Sequence, residues 1–301
     1  MPDLELPQSP ERWLGRVPGK HMSDLDEIVS AVTSSKKYRE VCTDTVRRIA
    51  GHELERNEGV KAAVKATKRR LHQVYGAFGR EFDYEGAYRH LEAAYRTGSD
   101  QEIQAACRQV LGLHSSTRER LSILDQFYAA VFAVTGQPAS ILDLGCGLNP
   151  LTWPWMDLPA TTRYMAVDID ARRVAFLNRY LALAGLEPLA RCQDILARPP
   201  GDKVDVVFLL KMSPSLERQK ARATLDLIQE LQAPYVVTSY AIKSLGGREK
   251  GMLAHYQKQF TTWAEQRQWP VETLAFETEL VFVVKQERVD NIDGFHAPRD
   301  P

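Results

Sequence analysis

Asp143, Gly145 and Gly147 close an apolar run that begins at Ile141, and Asp168 closes a second, Tyr164-Met165-Ala166-Val167, 25 residues further on. Glycines lack a β-carbon, so the backbone after the first run can turn sharply and let a ligand press against it. An acid ending the next run can accept hydrogen bonds from both hydroxyls of a ribose. Asp194, in Gln193-Asp194-Ile195 after a third apolar run, can accept from the amino group of an adenine. A glycine turn after one strand and an acid closing the next is how a doubly wound sheet holds an adenosine. Each aspartate taken alone also reads as a loop residue capping a helix, the weaker of the two readings. Three acids at the ends of three successive strands point to a nucleoside.

Such turns need a sheet to carry them. After Pro138 the pattern predicts strands at 140–143, 163–167, 189–193, 204–210, 234–239, 271–276 and 279–285, with helices between, notably at 171–184 and 215–231. Val174, Leu177, Leu181 and Ala184 line one face of the first of these helices and Gly185 stops it. Alternating strands and helices mean a mostly parallel sheet covered on both sides. The last two runs lie too close for a helical crossover and are expected to form an antiparallel hairpin at the sheet edge. From Asp24 to about Val134 the spacing is helical instead: Tyr38, Val41, Thr45 and Ile49 recur every three or four residues. Further helices are expected at 59–75, 84–95, 100–111 and 117–135, with Ser116 and Glu119 as a capping box for the last. The expected organisation is a proline-rich leader or appended segment (1–22), a helical unit (23–135), a nucleoside-binding α/β unit (136–286) and a loose tail (287–301).

Composition bounds the rest. With 44% hydrophobic and 26% charged residues in 301, the chain has the make-up of a soluble globular protein. Its longest apolar runs, such as Val206–Leu210, are far short of a membrane span, and no secretory signal pattern opens it. Cys42, Cys107, Cys146 and Cys192 are too scattered for a zinc or iron–sulfur site and read as reduced thiols of a cytoplasmic protein with no metal. The formal charge is zero, yet between Lys36 and Arg70 eleven basic residues face five acids, a net of +6. A local basic field on a neutral protein suggests a polyanionic partner; solvated helix faces would look the same.

The cofactor follows from the turn. A dinucleotide site wants Gly-x-Gly-x-x-Gly, and here the third position is Pro150. An antiparallel final hairpin after parallel strands is the sheet associated with S-adenosylmethionine-dependent methyltransferases, whose turn usually reads acid-x-Gly-x-Gly-x-Gly. Asp143, Gly145 and Gly147 satisfy it and Asn149 does not. The pattern favours that cofactor over NAD.

From Ser23 to Lys285 the chain resembles the aminoglycoside-resistance methyltransferases that modify guanine 1405 of 16S rRNA at N7. The resemblance rests on Ser35–Arg39, Asp44–Ile49, Leu113–Leu121, Gly147–Leu151 and Ser244–Arg248; the Asn149-Pro150 departure from the general motif is typical of that family. It implies a Rossmann-like class I methyltransferase sheet of seven strands behind an all-helical, rRNA-binding N-terminal domain. It places His114, Ser115, Ser116 and Arg120 over the cofactor, Arg120 pairing with the methionine carboxylate. Gly145, Cys146, Gly147, Asp168, Ile169, Asp194, Ile195, Lys211 and Gln219 complete the cofactor set, and Phe78 closes it or serves as a core aromatic. Lys211 directly follows an apolar strand, where a charge is costly without a partner. The expected phosphate contacts are Lys36, Lys37, Arg39, Arg47, Arg48, Lys68, Arg69 and Arg70. Arg248, Lys250 and Met252, in a glycine-containing loop after the fifth strand, are expected to touch the RNA as well.

The N7 atom of guanine carries an in-plane lone pair and no proton, so its methylation needs alignment and no general base. The chain agrees: after the fourth strand it reads Lys211-Met212-Ser213-Pro214, without the Asn/Asp-Pro-Pro-aromatic motif of amino-group methyltransferases and without a cysteine nucleophile. The target base would have to be turned out of the RNA, with Trp153 and Trp155 as candidates to stack on it or simply to pack under the turn. The resemblance implies 16S rRNA within the 30S subunit as the partner; the chain is expected to act as a monomer, although the sequence itself carries no signal for oligomeric state. Methylation of adenine 1408 at N1, a small-molecule methyltransferase and a non-catalytic RNA-binding protein are the competing readings.

Overall fold

The computed structural model describes residues 21–75, 82–242 and 250–286, with the backbone alone at 21–23 and 250–255. The expected leader and tail lie outside these residues, except that His21 and Met22 already belong to the first helix. The helices are α1 (His21–Thr33), α2 (Thr43–Arg56), α3 (Val60–Val74), α4 (Tyr84–Thr97), α5 (Asp100–Leu111), α6 (Ser115–Arg120) and α7 (Leu124–Thr135). Then come β1 (Ser140–Leu144), β2 (Arg163–Asp168), α8 (Ala171–Leu183), β3 (Leu189–Cys192) and β4 (Val206–Leu210). The chain continues through α9 (Ser213–Glu217), α10 (Ala223–Glu230), β5 (Tyr235–Ala241), α11 (Lys250–Arg267), β6 (Val271–Ala275) and β7 (Glu279–Lys285).

The seven strands form one sheet in the order β3-β2-β1-β4-β5-β7-β6. β1 through β5 are parallel; β7 runs antiparallel to β5 and β6, pairing Tyr235 with Lys285 and Val271 with Val284. The uninterrupted apolar run of β4 is buried at every residue, as a parallel strand covered on both faces must be. Chain order reverses between β1 and β4, and a crevice at such a switch point is where open α/β sheets bind ligands. Gly185, at φ +76°, ends α8 as expected, with Leu186 N–H reaching back 2.8 Å to the Leu181 carbonyl.

Burial divides the helices elsewhere than the change of texture near residue 135. Leu91, Leu111, Phe127 and Tyr128 of α4, α5 and α7 share one core with α8 and a face of the sheet. α9–α11 cover the other face through Leu216, Ile228 and Phe260. Among the described residues α1–α3 close a separate core, around Ile28, Val32, Ile49 and Leu71. That three-helix unit is fastened to the end of β2: Cys42 N–H donates to Ile169 O at 2.7 Å, Ala171 N–H to Glu40 O at 2.8 Å, and the Tyr75 hydroxyl to Asp170 Oδ2 at 2.8 Å.

Three expected helices are broken. Tyr38, Val41, Thr45 and Ile49 are all buried, but Tyr38 and Val41 precede α2, and Val41 bridges to Asp170 instead. The helix expected at 117–135 is interrupted after Arg120, where Arg108 takes the Leu121 carbonyl at 2.8 Å. The helix expected at 215–231 breaks because Glu217 accepts the N–H groups of Arg222 and Thr224 at 2.8 and 2.9 Å, capping α10, with Arg222 at φ +62°. The capping box is overturned too: His114 is the N-cap of α6 and offers no side-chain cap, and Glu119 turns to Lys211.

Candidate active site

The glycine turn leaves β1 with Gly145 at φ +63° and Gly147 at φ +54°, left-handed values that favour glycine. A β-carbon on Gly145 would lie 2.4 Å from Met212 Sδ, and one on Gly147 3.3 Å from the His114 ring. Gly145→Ala is therefore expected to cost about 1–2 kcal/mol in backbone strain alone and to push Met212 from the cleft it lines. A lower melting temperature and weaker S-adenosylhomocysteine binding should result, with Met212→Ala in the same chain recovering only the steric part. Calorimetry and thermal melts of the two variants check this.

Asn149, where the general motif has glycine, is the hub of a buried polar network. Its Nδ2 donates to Asp143 Oδ2 at 2.9 Å, and its Oδ1 accepts from Arg120 Nη1 at 2.6 Å and Tyr128 Oη at 3.0 Å. Tyr164 Oη donates to the same Asp143 oxygen at 2.7 Å. Burial pushes the Asp143 carboxyl up to about 6, against the bonds from Asn149 and Tyr164 that favour its ionised form. A glycine at 149 would leave Asp143 and Arg120 without their shared partner, so the departure from the motif is a structural requirement.

Asp168 ends β2 with Oδ2 accepting Gly147 N–H at 3.0 Å and Oδ1 accepting Asp170 N–H at 2.9 Å. Arg173 Nη1 stands 2.9 and 3.0 Å from its two oxygens. Helix capping falls to Asp170, which accepts from the N–H groups of Arg172 and Arg173, so Asp168 is left to the cleft. Asp194 caps its own turn through Leu196 and Ala197 N–H at 2.8 and 3.1 Å and also faces the cleft.

At the opposite end Arg120 is buried and gripped by Glu279, Nε at 3.0 Å and Nη2 at 2.5 Å. The bidentate face assigned to a cofactor carboxylate is thus taken by a residue of this chain, although Arg120 still lines the cleft. Lys211, at φ +58°, donates to Glu119 Oε2 and Ser116 O at 2.9 Å each and lies 3.5 Å from Glu279. These bonds are the partners that its position after β4 demands. Burial alone would raise the Glu279 carboxyl; the charges of Arg120 and Lys211 outweigh it and hold the group below its ordinary value. The His114 imidazole is pushed down to about 4, by burial first and by the charge of Arg173 second, so it is neutral at physiological pH.

One cleft collects these groups. Of the cofactor residues expected from sequence, His114, Ser116, Arg120, Gly145, Cys146, Gly147, Asp168, Ile169, Asp194, Ile195, Lys211 and Gln219 line it. Ser115 does not, and Phe78 lies outside the described residues. Burial pushes the Cys146 thiol well up, which suits a small space-filler. Trp153 and Trp155 are turned away: Trp153 packs edge-on to Tyr164, and Trp155 bonds Asp125 at 2.8 Å under Arg108. Sequence reasoning missed Arg48, Tyr75 and Arg173 in the cleft wall and Glu279 behind it.

The basic set is only partly at the surface. Lys36, Lys37, Arg39 and Arg69 are exposed and Lys68 is half-buried. Arg47 pairs with Asp26 at 2.8 Å, Arg70 donates to Arg218 O at 2.9 Å, and Arg48 points inward. Lys61 and Lys65, passed over in the sequence, are exposed on α3 at four-residue spacing with Arg69, a regularity that could have flagged them. Arg248 lies outside the described residues; Lys250 and Met252 fall in the first turn of α11.

A nucleoside with a charged amino-acid tail matches this cleft, with carboxylates at the ends of β2 and β3, a turn that admits no side chain, and cations at the end of α6 and after β4. Together with an antiparallel β7 at the edge of the parallel sheet, these features define an S-adenosylmethionine-dependent methyltransferase. The match can be made narrower. The ribosomal RNA methyltransferase family FmrO matches residues 34–283, and the chain belongs to it. It is 39% identical to the 16S rRNA (guanine(1405)-N(7))-methyltransferase of Frankia casuarinae, over 89% of this chain and 96% of that one. The enzyme of the same name from Micromonospora echinospora is 38% identical over 87% of this chain and 97% of its own. Among solved structures, the 16S rRNA methyltransferase RmtF in complex with S-adenosyl-L-homocysteine superposes with a TM-score of 0.73 at 32% identity, covering 88% of this chain and 98% of that one. Among the described residues no helix is long and apolar enough to cross a membrane, and no cluster of metal-ligating side chains occurs.

Proposed function

We infer that this protein transfers a methyl group from S-adenosylmethionine to N7 of guanine 1405 of 16S rRNA, acting as a cytoplasmic monomer on the 30S subunit and so denying aminoglycosides their site. The observation that carries this is the extent of the identity. Relatives of that name align over 86–89% of the chain, and the family match at residues 34–283 takes in α2 and α3 as well as the sheet. When bound, the cofactor supplies an electrophilic methyl on a sulfonium. The chain's part is to hold and align. Asp168 and Asp194 fix the nucleoside end, Arg120 and Lys211 set the charge at the amino-acid end, and the turn at Gly145 and Gly147 lets the ligand lie against the backbone. The nucleophile carries no proton, so a neutral His114 and a Lys211 engaged with Ser116 and Glu119 are no obstacle to the chemistry.

The test is to incubate the protein with labelled cofactor and 30S subunits and map the product. Borohydride and aniline cleave the RNA chain at N7-methylguanine, and a break at guanine 1405 is the expected result. Label at adenine 1408, or on no RNA, would overturn the reading.

Phosphate binding is assigned to the exposed face of α3 and the segment before α2, with Lys61 and Lys65 joining Lys36, Lys37, Arg39, Lys68 and Arg69. Each phosphate contact contributes about 0.7–0.9 to the log–log salt dependence of nucleic-acid binding. Lys68→Glu with Arg69→Glu is accordingly expected to weaken 30S binding and flatten its salt slope by about 1.5. An unaltered slope in filter-binding titrations would remove the patch from the interface.

A further inference from the structure

We propose that Arg48 is a positioning residue of the adenosine subsite, through which α2 takes part in holding the cofactor, and is not one of the phosphate contacts. The proposal rests on the S-adenosylmethionine reading of the cleft.

Arg48 belongs by sequence to the basic stretch that surrounds it, and its charge counts in the +6 of that stretch. Its side chain is only 19% exposed, however, and it lines the cleft. Nε and Nη2 lie 3.0 and 2.9 Å from Asp194 Oδ2, and Nη2 also donates to Gln219 Oε1 at 2.8 Å. One guanidinium thus joins a helix of the first unit to the acid after β3 and the amide after α9.

What the contact does follows from burial. The Asp194 side chain is 4% exposed, and an isolated carboxylate there, beside a neutral purine, would carry an uncompensated desolvation cost. Two backbone N–H groups hold Oδ1 and the guanidinium fork holds Oδ2, so the plane of the carboxylate is fixed from both sides. Gln219 is oriented by the same fork, since its Nε2 donates to Ser215 O at 3.2 Å while its oxygen faces Arg48. Supporting bonds of this kind set the geometry of groups that touch a ligand. The carrier helix is itself held to the sheet next to the site, by Cys42 on Ile169 and the Val41–Asp170 bridge. A change in how α2 sits would therefore reach the adenosine wall through Arg48.

The experiment compares the full-length wild type with Arg48→Ala, Arg48→Lys, Asp194→Asn and the Arg48→Ala/Asp194→Asn double variant. S-adenosylhomocysteine and 5′-methylthioadenosine, which lacks the amino-acid tail, are titrated by calorimetry, and 30S binding is followed against salt. Arg48→Ala is expected to weaken both ligands about tenfold or more, the scale of hydrogen bonds to a charged partner. Arg48→Lys keeps the charge without the fork and should recover part of that loss. In the Asp194→Asn background the Arg48 substitution should cost little further, since its effect passes through that carboxylate. The salt slope of 30S binding should match the wild type. Unchanged ligand affinity in Arg48→Ala, full additivity with Asp194→Asn, or a flattened salt slope would each overturn the proposal. If Arg48→Ala does not fold, the lysine variant decides the same questions. A wild type that binds neither ligand would instead refute the cofactor reading.

Discussion

Glu279→Gln is expected to destabilise the protein by about 3–5 kcal/mol, the scale for removing one partner of a buried ion pair, and to lower its melting temperature by roughly ten degrees. Glu279 opens β7 with a fully buried side chain. It receives both arms of the Arg120 fork and the Ser239 hydroxyl at 2.5 Å, with the Lys211 ammonium 3.5 Å away. Neutralising it leaves Arg120 buried without a counter-charge. Removing both partners, as in Arg120→Met with Glu279→Leu, should restore most of the stability, because the desolvation of two charges is avoided. It should not restore binding of S-adenosylhomocysteine, since Arg120 faces the cleft. Recovery of both would mean that the pair serves the fold alone.

The pH dependence separates two carboxyls. Glu279 is held below its ordinary value of 4.5 in the folded state, so its contribution is complete above that value and is lost as pH falls through the folded one. Asp143 behaves oppositely. Its folded value, about 6, lies above the ordinary 3.8, so the stability it contributes is complete below 3.8 and is lost as pH rises through 6. Urea titrations of the wild type should show stability falling between about pH 4 and 6 from Asp143, and an acid limb below pH 4.5 that Glu279→Gln flattens.

The legible part of this molecule was the part whose signal is local. Apolar runs ending in acids located β1, β2 and β3, and the close spacing of the last two runs gave the antiparallel hairpin of β6 and β7. Breaks in helices were not legible. The break after Arg120 is set by Arg108 and that before α10 by Glu217, side chains whose targets are known only once the chain is folded. Distance in sequence hid the rest: Glu279 is 159 residues from Arg120, and Asp194 is 146 from Arg48. For Arg48 the basic neighbours disguised a side chain that faces Asp194 and Gln219. Asn149 shows the reverse, a departure from a motif that makes sense once Asp143 and Arg120 are seen on its two ends.

Asp168→Ala is expected to reduce S-adenosylhomocysteine affinity by at least about a hundredfold, two charge-assisted hydrogen bonds being lost together. The structure makes the alanine variant ambiguous by itself. The same carboxylate ties the end of β2 to the glycine turn through Gly147 N–H and holds Arg173 with both oxygens, so its removal also disturbs the shape of the cleft. Recognition and shape are separated by changing the ligand. Wild-type protein should penalise the 2′-deoxy analogue of S-adenosylhomocysteine, because a donor to Asp168 is missing. Asp168→Asn keeps a side chain of the same size and an acceptor for the turn, and there the natural and deoxy ligands should bind with nearly equal, weakened affinity. Should the penalty for the deoxy analogue persist undiminished in Asp168→Asn, the ribose is held by another group, and Asp168 acts only by fixing the turn.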